Sequence, residues 1–172
     1  AGQVDLVGHS QGGMMPRWYL RFGGGTAYVH DLVGLAPSNH GTTVDGMSAL
    51  FDAVPALGLP APLTLAQCPG CTQQLAGSSF LQQLNAGADT VPGVRYTVIE
   101  TEDDEVVTPY TSAFLSGPAV TNVTLQHQCP NDHSDHLAMP YDSAALQDVV
   151  EALSDDPSFS VVCGLALPLL GG

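Results

Sequence analysis

Nine residues near the start of the chain constrain its fold more than anything that follows. Val4-Asp5-Leu6-Val7 is a short apolar run, Gly8-His9-Ser10-Gln11-Gly12 follows directly, and a helical pattern begins at Gly12. An apolar run ending in a glycine-rich turn reads as a buried strand feeding a helix. A serine at the centre of Gly-x-Ser-x-Gly on such a turn sits on a strained elbow that lifts its hydroxyl clear of the backbone. Small residues are expected at both flanks, 8 and 12, because a Cβ there would strike the adjoining strand and helix. The competing reading, a phosphate-binding turn at a helix start, wants G-x-G-x-x-G or a following lysine, and the chain has neither here. Ser10 is therefore the candidate nucleophile. The backbone N–H of Gln11 is the candidate oxyanion donor, a role worth about 3 kcal/mol to a transition state.

Downstream, strand and helix signals alternate. Gly12–Phe22 reads as a helix with Met15, Tyr19 and Phe22 on one face, tolerating Pro16 near its first turn and stopped by Gly23-Gly24-Gly25. His30–Leu35 is a second strand closed by Ala36-Pro37. Val44–Val54 is a helix candidate, Pro55–Pro69 a loop, and Thr72–Asn85 another helix candidate. Val94–Ile99 is a third strand of high β propensity and Val120–Leu125 a fourth. Ser143–Leu153 closes the series as a helix with Ala145, Val149 and Leu153 on one face. This rhythm predicts a single α/β domain built on a parallel sheet, and the chain shows no internal repeat.

Composition limits the partners. The chain has 172 residues, 44% hydrophobic and 12% charged, and its 17 acids face only three bases. Those bases are Arg17, Arg21 and Arg95. A net charge of −14 repels phosphate backbones, so nucleic acid is not an expected partner. No apolar run reaches the roughly 18 residues of a membrane span. The apolar segment Val161–Leu170 is too short and is broken by Pro168, so no stable membrane insertion is expected.

The four cysteines, Cys68, Cys71, Cys129 and Cys163, allow three pairings. A Pro-Gly turn separates Cys68 from Cys71 and can close a small local loop, leaving Cys129 to Cys163. A redox C-x-x-C belongs at a helix start after a strand, whereas this one follows the proline-broken Leu57–Leu65. A zinc site lacks the usual repeated C-x-x-C spacing. Two structural disulfides, and with them an oxidising compartment, are the favoured reading.

The acid and the base must follow the serine in the order Ser, Asp or Glu, His. Past the third strand stand Glu102, Asp103, Asp104 and Glu105, from which a carboxylate can reach and orient a histidine. Of the six histidines, position after the fourth strand leaves His127, His133 and His136. His136 lies just before the last helix, where a loop histidine can reach the nucleophile. His9 and His40 read as packing or loop residues. His133 and His136 with Asp132 and Asp135 could ligate a metal, but a short polar cluster without a remote ligand reads as a loop. Neither a metal nor a cofactor is expected.

Four blocks taken together resemble the class 2 lipase family of secreted actinobacterial lipases, within the α/β hydrolases. They are Val4–Arg17, Leu32–Thr43, Asp104–Tyr110 and Asp135–Ala138, in that order. The resemblance implies the α/β-hydrolase fold and a secreted carboxylic ester hydrolase acting on acylglycerols or related esters. It implies a triad of Ser10, Asp104 and His136, with Asp104 preferred to Asp103 because the family's acid precedes Glu-Val-Val-Thr-Pro. It also implies the disulfides Cys68–Cys71 and Cys129–Cys163. Finally, it implies a portion ahead of Ala1 with a signal peptide, early strands and a His-Gly-type oxyanion loop holding the second donor. The chain is therefore expected to be N-terminally incomplete, with Val4–Val7 left as an apolar edge, weakly active and aggregation-prone alone. The complete enzyme is expected to be monomeric. The competing readings are acyl transfer on the same triad and a non-catalytic remnant of a hydrolase fold.

Overall fold

A computed structural model describes residues 2–53, 65–154 and 158–172. Four strands, β1 (Val4–His9), β2 (Val29–Leu35), β3 (Arg95–Glu100) and β4 (Val120–Thr124), form one sheet in the order β1-β2-β3-β4. Every neighbouring pair is parallel, with Gly8 opposite Gly34, Gly34 opposite Val98, and Glu100 opposite Thr124. Parallel strands need crossovers that cover both faces of the sheet. On one face α2 (Pro16–Phe22) sends Leu20 onto Leu32, Tyr96 and Val98. On the other, α7 (Ser143–Ser154) packs Ala145 and Val149 against Val33, Leu35 and Ile99. Alternation along each strand makes this division: Leu32 and Val33 point opposite ways, as do Val98 and Ile99. All carboxyl-terminal strand ends therefore meet at one edge, and the functional loops leave from there.

The remaining helices are short. They are α1 (Gln11–Met14), α3 (Val44–Ala53), α4 (Pro69–Gln73), α5 (Ser79–Leu84) and α6 (Leu125–Gln128). The three arginines tie the elements to their loops and to one another. Arg17, buried, donates to the Asn39 carbonyl at 3.1 Å, to Asn85 Oδ1 at 2.6 Å and to the Asp89 carbonyl at 2.9 Å. Burial lowers its pKa only to about 10, so it stays charged at neutral pH. Arg21 donates to the carbonyls of Leu84, Ala86 and Ala88. Arg95 grips Asp31 of β2 through two bonds of 2.6 Å. With each guanidinium engaged by the fold, the acidic surface is left to the solvent.

Both disulfides are present, Cys68–Cys71 and Cys129–Cys163. The second pins the segment 158–172 to the end of α6. That segment adds a bridge between Asp132 and Ala166 and a bond from Leu169 N to Asp135 Oδ2 of 3.1 Å. Among the described residues no helix is long and apolar enough to cross a membrane.

The structure corrects several local expectations. Gly12–Phe22 is two helices broken at Met15, because Pro16 supplies no N–H to continue the ladder. Its buried face is Met14, Arg17 and Leu20, while Met15, Tyr19 and Phe22 are exposed. Thr72–Asn85 is likewise split into α4 and α5, separated by Gly77 in the left-handed region (φ 79°). Ser78 then caps α5, its hydroxyl accepting from Leu81 N at 3.3 Å. Of the expected loop Pro55–Pro69, residues 54–64 lie outside the described residues. Its remainder forms a 3₁₀ turn, Leu65–Gln67, and Pro69 opens α4. The strand Val4–Val7 is not buried: β1 is an edge of the sheet, and Val4 and Val7 are about half exposed (54% and 48%), as expected of an uncovered edge.

Candidate active site

The elbow is built by backbone crowding. Ser10 takes φ 55° and ψ −126°, a region non-glycine residues occupy only when the surroundings hold them there. Its N–H donates to the Leu35 carbonyl at 2.8 Å and its carbonyl accepts from Gly13 N at 3.0 Å. The strained residue is thus clamped between β2 and α1. A Cβ on Gly8 would overlap the Gly12 carbonyl, so glycine is required there. At Gly12 a Cβ would meet nothing, contrary to the expectation from the motif. The crowded second position is Gly13, where a Cβ would lie 2.8 Å from the Gly8 carbonyl oxygen and 3.1 Å from Gly34 Cα. The crossing of α1 over β1 and β2, rather than the motif spacing, decides which glycine is indispensable.

Three of the residues expected from sequence meet at this elbow. The Ser10 hydroxyl lies 2.9 Å from His136 Nε2, and His136 Nδ1 lies 2.8 Å from Asp104 Oδ2. With Asp104 accepting at Nδ1, the consistent tautomer carries its proton there and leaves Nε2 to accept from Ser10. The His136 and Asp104 side chains are buried (1% and 0% exposed), while Ser10 is only partly covered. Asp104 Oδ1 accepts from Val106 N at 2.8 Å and Val107 N at 2.6 Å. Its charge is therefore met by three donors, counting His136. Gln11 opens α1 directly after Ser10, where a helix leaves its first N–H groups without intrahelical acceptors.

The neighbouring acids and histidines go elsewhere. Asp103 pairs with His133 at 3.1 Å and Glu102 with His127 at 3.5 Å, all on the surface. Asp132 and Asp135 are turn-formers: they accept from Ser134 N at 3.0 Å and Ala138 N at 2.8 Å, and so shape the loop that presents His136. The nitrogens of His40 face the Ser112 carbonyl and Asp89, in line with a loop role. His30 sits with Asp5 and Asp31 at the opposite end of the strands. There, too, a cleft of about 510 Å³ opens between Arg95, Val120 and Asp148, and it touches none of the three residues at the elbow.

Three side chains around the site carry roles that the sequence does not announce. His9 donates from Nε2 to the His136 carbonyl at 2.8 Å, and the two rings lie 4.7 Å apart, tilted. Burial, then repulsion from His136, lowers the His9 pKa from 6.5 to about 4, so it is neutral at neutral pH. Glu105 accepts from His136 N at 3.1 Å, and burial raises its carboxyl. Glu100, fully buried at the end of β3, has its carboxyl raised well above the usual range by burial and by the Asp104 charge. Its one sequence signal is position: Tyr96, Val98 and Glu100 share a face in a strand buried on both sides.

Four parallel strands feeding a serine elbow, with Asp104 and His136 arriving from later strand ends, match the α/β-hydrolase fold. Solved lipases share it. The chain aligns with lipase B of Aspergillus fumigatus at 26% identity and a TM-score of 0.73, over 99% of this chain and 43% of that one. It aligns with the lipase BlEst2 of Bacillus licheniformis at 15% identity and a TM-score of 0.50, over 72% of this chain and 57% of that one. The chain thus spans less than half the length of the Aspergillus enzyme. No curated protein matches its sequence. Within the fold the chain belongs to the class 2 lipase family, whose sequence model matches residues 1–148.

Proposed function

We propose that the chain is the catalytic part of a serine ester hydrolase, a lipase or esterase, acting through an acyl-enzyme on Ser10. The observation that carries this is the continuous hydrogen-bonded path from Ser10 through His136 to Asp104. His136 takes the hydroxyl proton as Ser10 Oγ attacks the ester carbonyl, then returns it to the departing alcohol. Water, activated by the same histidine, attacks the acyl-enzyme and releases the acid and Ser10. Asp104 holds the imidazole in its tautomer and stabilises the imidazolium. The Gln11 N–H is one donor to the oxyanion, and the usual partner donor in this fold lies on a loop after an earlier strand. Membership of the class 2 lipases makes acylglycerols and similar esters the proposed substrates. Two disulfides fit an extracellular enzyme.

Hydrolysis of a p-nitrophenyl ester, with fluorophosphonate labelling alongside, tests the reading. Ser10→Ala should abolish both turnover and labelling. Undiminished hydrolysis by that variant, or a wild-type protein whose Ser10 is never labelled, would refute it.

A further inference from the structure

Glu100 has no place in the mechanism above, yet it is among the most deeply buried side chains of the molecule (0% exposed). It ends β3, and the loop that follows it carries Asp104 four residues later. Oε1 accepts from Thr101 N at 2.9 Å. Oε2 is buried and meets no hydrogen-bond donor among the described residues. The Asp104 side chain is the neighbouring carboxyl, and together with burial it raises the Glu100 carboxyl. Two carboxylates cannot share a dry site with both ionised, so one of the pair must keep a proton. The hydrogen bonds decide which. Asp104 receives three, from Val106 N, Val107 N and His136 Nδ1, each favouring its charged form. Glu100 receives one, and its second oxygen becomes satisfied only if it donates.

We propose that Glu100 is a neutral carboxylic acid that donates a hydrogen bond from Oε2 to the Asp104 carboxylate, and so is a positioning residue for the acid that orients His136. The inference rests on the triad reading for its catalytic meaning, but its geometry stands without it. Glu100 holds Asp104 by a contact separate from that with His136 and draws part of the carboxylate charge away from the imidazole. It also keeps the buried pair at a single negative charge. A second charge there would favour imidazolium, and His136 would enter the reaction already protonated. The other titratable groups acting on this cluster are His9, from the end of β1, Glu105, from the Asp104 loop, and Asp135, from the loop before α7. His9 is neutral and Glu105 is bonded to His136 N, so neither supplies the missing donor.

The test is nuclear magnetic resonance on the full chain with its disulfides intact, which needs no turnover. The chain has four glutamates, so ¹³C-labelled glutamate gives a sparse carboxyl spectrum, and Glu100→Gln assigns the Glu100 resonance by its loss. At pH 7 that resonance should have the chemical shift of a protonated carboxyl and should move only at alkaline pH. The ring of His136 is titrated in parallel. Glu100→Gln keeps a donor and removes the acid, so the His136 midpoint should stay in place. Glu100→Ala removes the donor, concentrates charge on Asp104, and should raise the midpoint by about one pH unit. A merely structural glutamate would lower stability in both variants and move neither midpoint. A Glu100 resonance that is ionised at pH 7 overturns the inference, and so does a His136 midpoint that falls in Glu100→Gln, since that would report the loss of a negative charge. If Glu100→Ala does not fold, the wild-type spectrum and Glu100→Gln still decide. Absence of ester hydrolysis or of serine labelling would sink the functional reading while leaving these resonances to judge Glu100.

Discussion

Replacing His9 by glutamine should change the acid stability of the protein in a direction fixed by its burial. His9 is held neutral: its pKa falls from 6.5 to about 4 on folding, chiefly through desolvation and then through repulsion from His136. Above pH 6.5 the imidazole is neutral in both folded and unfolded chains and costs nothing. Below it the unfolded chain takes up a proton that the folded chain refuses until about pH 4. Stability is therefore lost as pH falls through this window and stops falling below it. At about 1.4 kcal/mol per pH unit, the loss by pH 4.5 reaches on the order of 2 kcal/mol once the partial solvent access of the ring is discounted. Glutamine cannot titrate, and its amide can still donate to the His136 carbonyl. It gives up the ring contact, worth about 1 kcal/mol. His9→Gln should thus be about 1 kcal/mol less stable than wild type at pH 7 and about 1 kcal/mol more stable at pH 4.5. Urea unfolding at the two pH values measures the crossing, which in thermal melts is a relative swing of roughly 5 °C. Parallel stability–pH curves for the two proteins would show that His9 protonates freely in the folded state, and the desolvation argument would fall.

Asp148 carries the opposite sign. Burial pushes its carboxyl up to about 6, so the stability it lends is complete below the ordinary carboxylate range and is lost as pH rises through 6. An asparagine carbonyl in its place would still accept from Gln128, which donates to Oδ2 at 2.6 Å. Asp148→Asn should therefore be more stable than wild type at pH 7, by on the order of 2 kcal/mol after discounting for solvent screening. The gain should vanish near pH 4 in the same urea assay. The two disulfides should differ in weight. Cys129–Cys163 spans 34 residues and Cys68–Cys71 only three. Replacing the first pair by alanine should cost about 4 kcal/mol and the second under about 2 kcal/mol. Limited proteolysis should then cut the first variant within the released segment 158–172.

Much of the fold is legible in the sequence because parallel strands and their crossovers write strong periodic signals. All four strands lie within a residue or two of their expected bounds, and the apolar face of Ala145, Val149 and Leu153 suffices to place α7. Asp104 and His136 follow from chain order and from the blocks shared with a family. The errors have a common cause. Between Gly12 and Phe22, apolar residues on two faces compete, and tertiary packing chooses Met14, Arg17 and Leu20 over the face of Met15, Tyr19 and Phe22. A buried arginine is invisible to an apolar pattern, because its value lies in the carbonyls of residues far away in sequence. The motif names Gly12, yet its neighbour Gly13 is the crowded one. Only the crossing of α1 over Gly8 and Gly34 separates them.

The same reasoning explains why the surroundings of the site are harder to read than its centre. Ser10 is marked by its motif, while chain order narrows the acid to residues 102–105 and the histidine to His127, His133 and His136, and the family resemblance singles out Asp104 and His136. His9, Glu100 and Glu105 act through partners that the chain brings near only after folding. His9 reads in the sequence only as a packing or loop residue, and nothing near Glu105 in the chain says that it would meet the backbone of His136. Glu100 offers the strongest clue, as an acid in register with Tyr96 and Val98 in a strand that both faces bury. An acid in such a position costs several kcal/mol unless it is neutral or paired, and the structure sets it beside the buried carboxyl of Asp104, which is hydrogen-bonded to His136. A buried acid that breaks an apolar strand pattern therefore calls for a partner that offsets its burial: Arg95 serves Asp31 in β2, and the group set beside Glu100 is the Asp104 side chain.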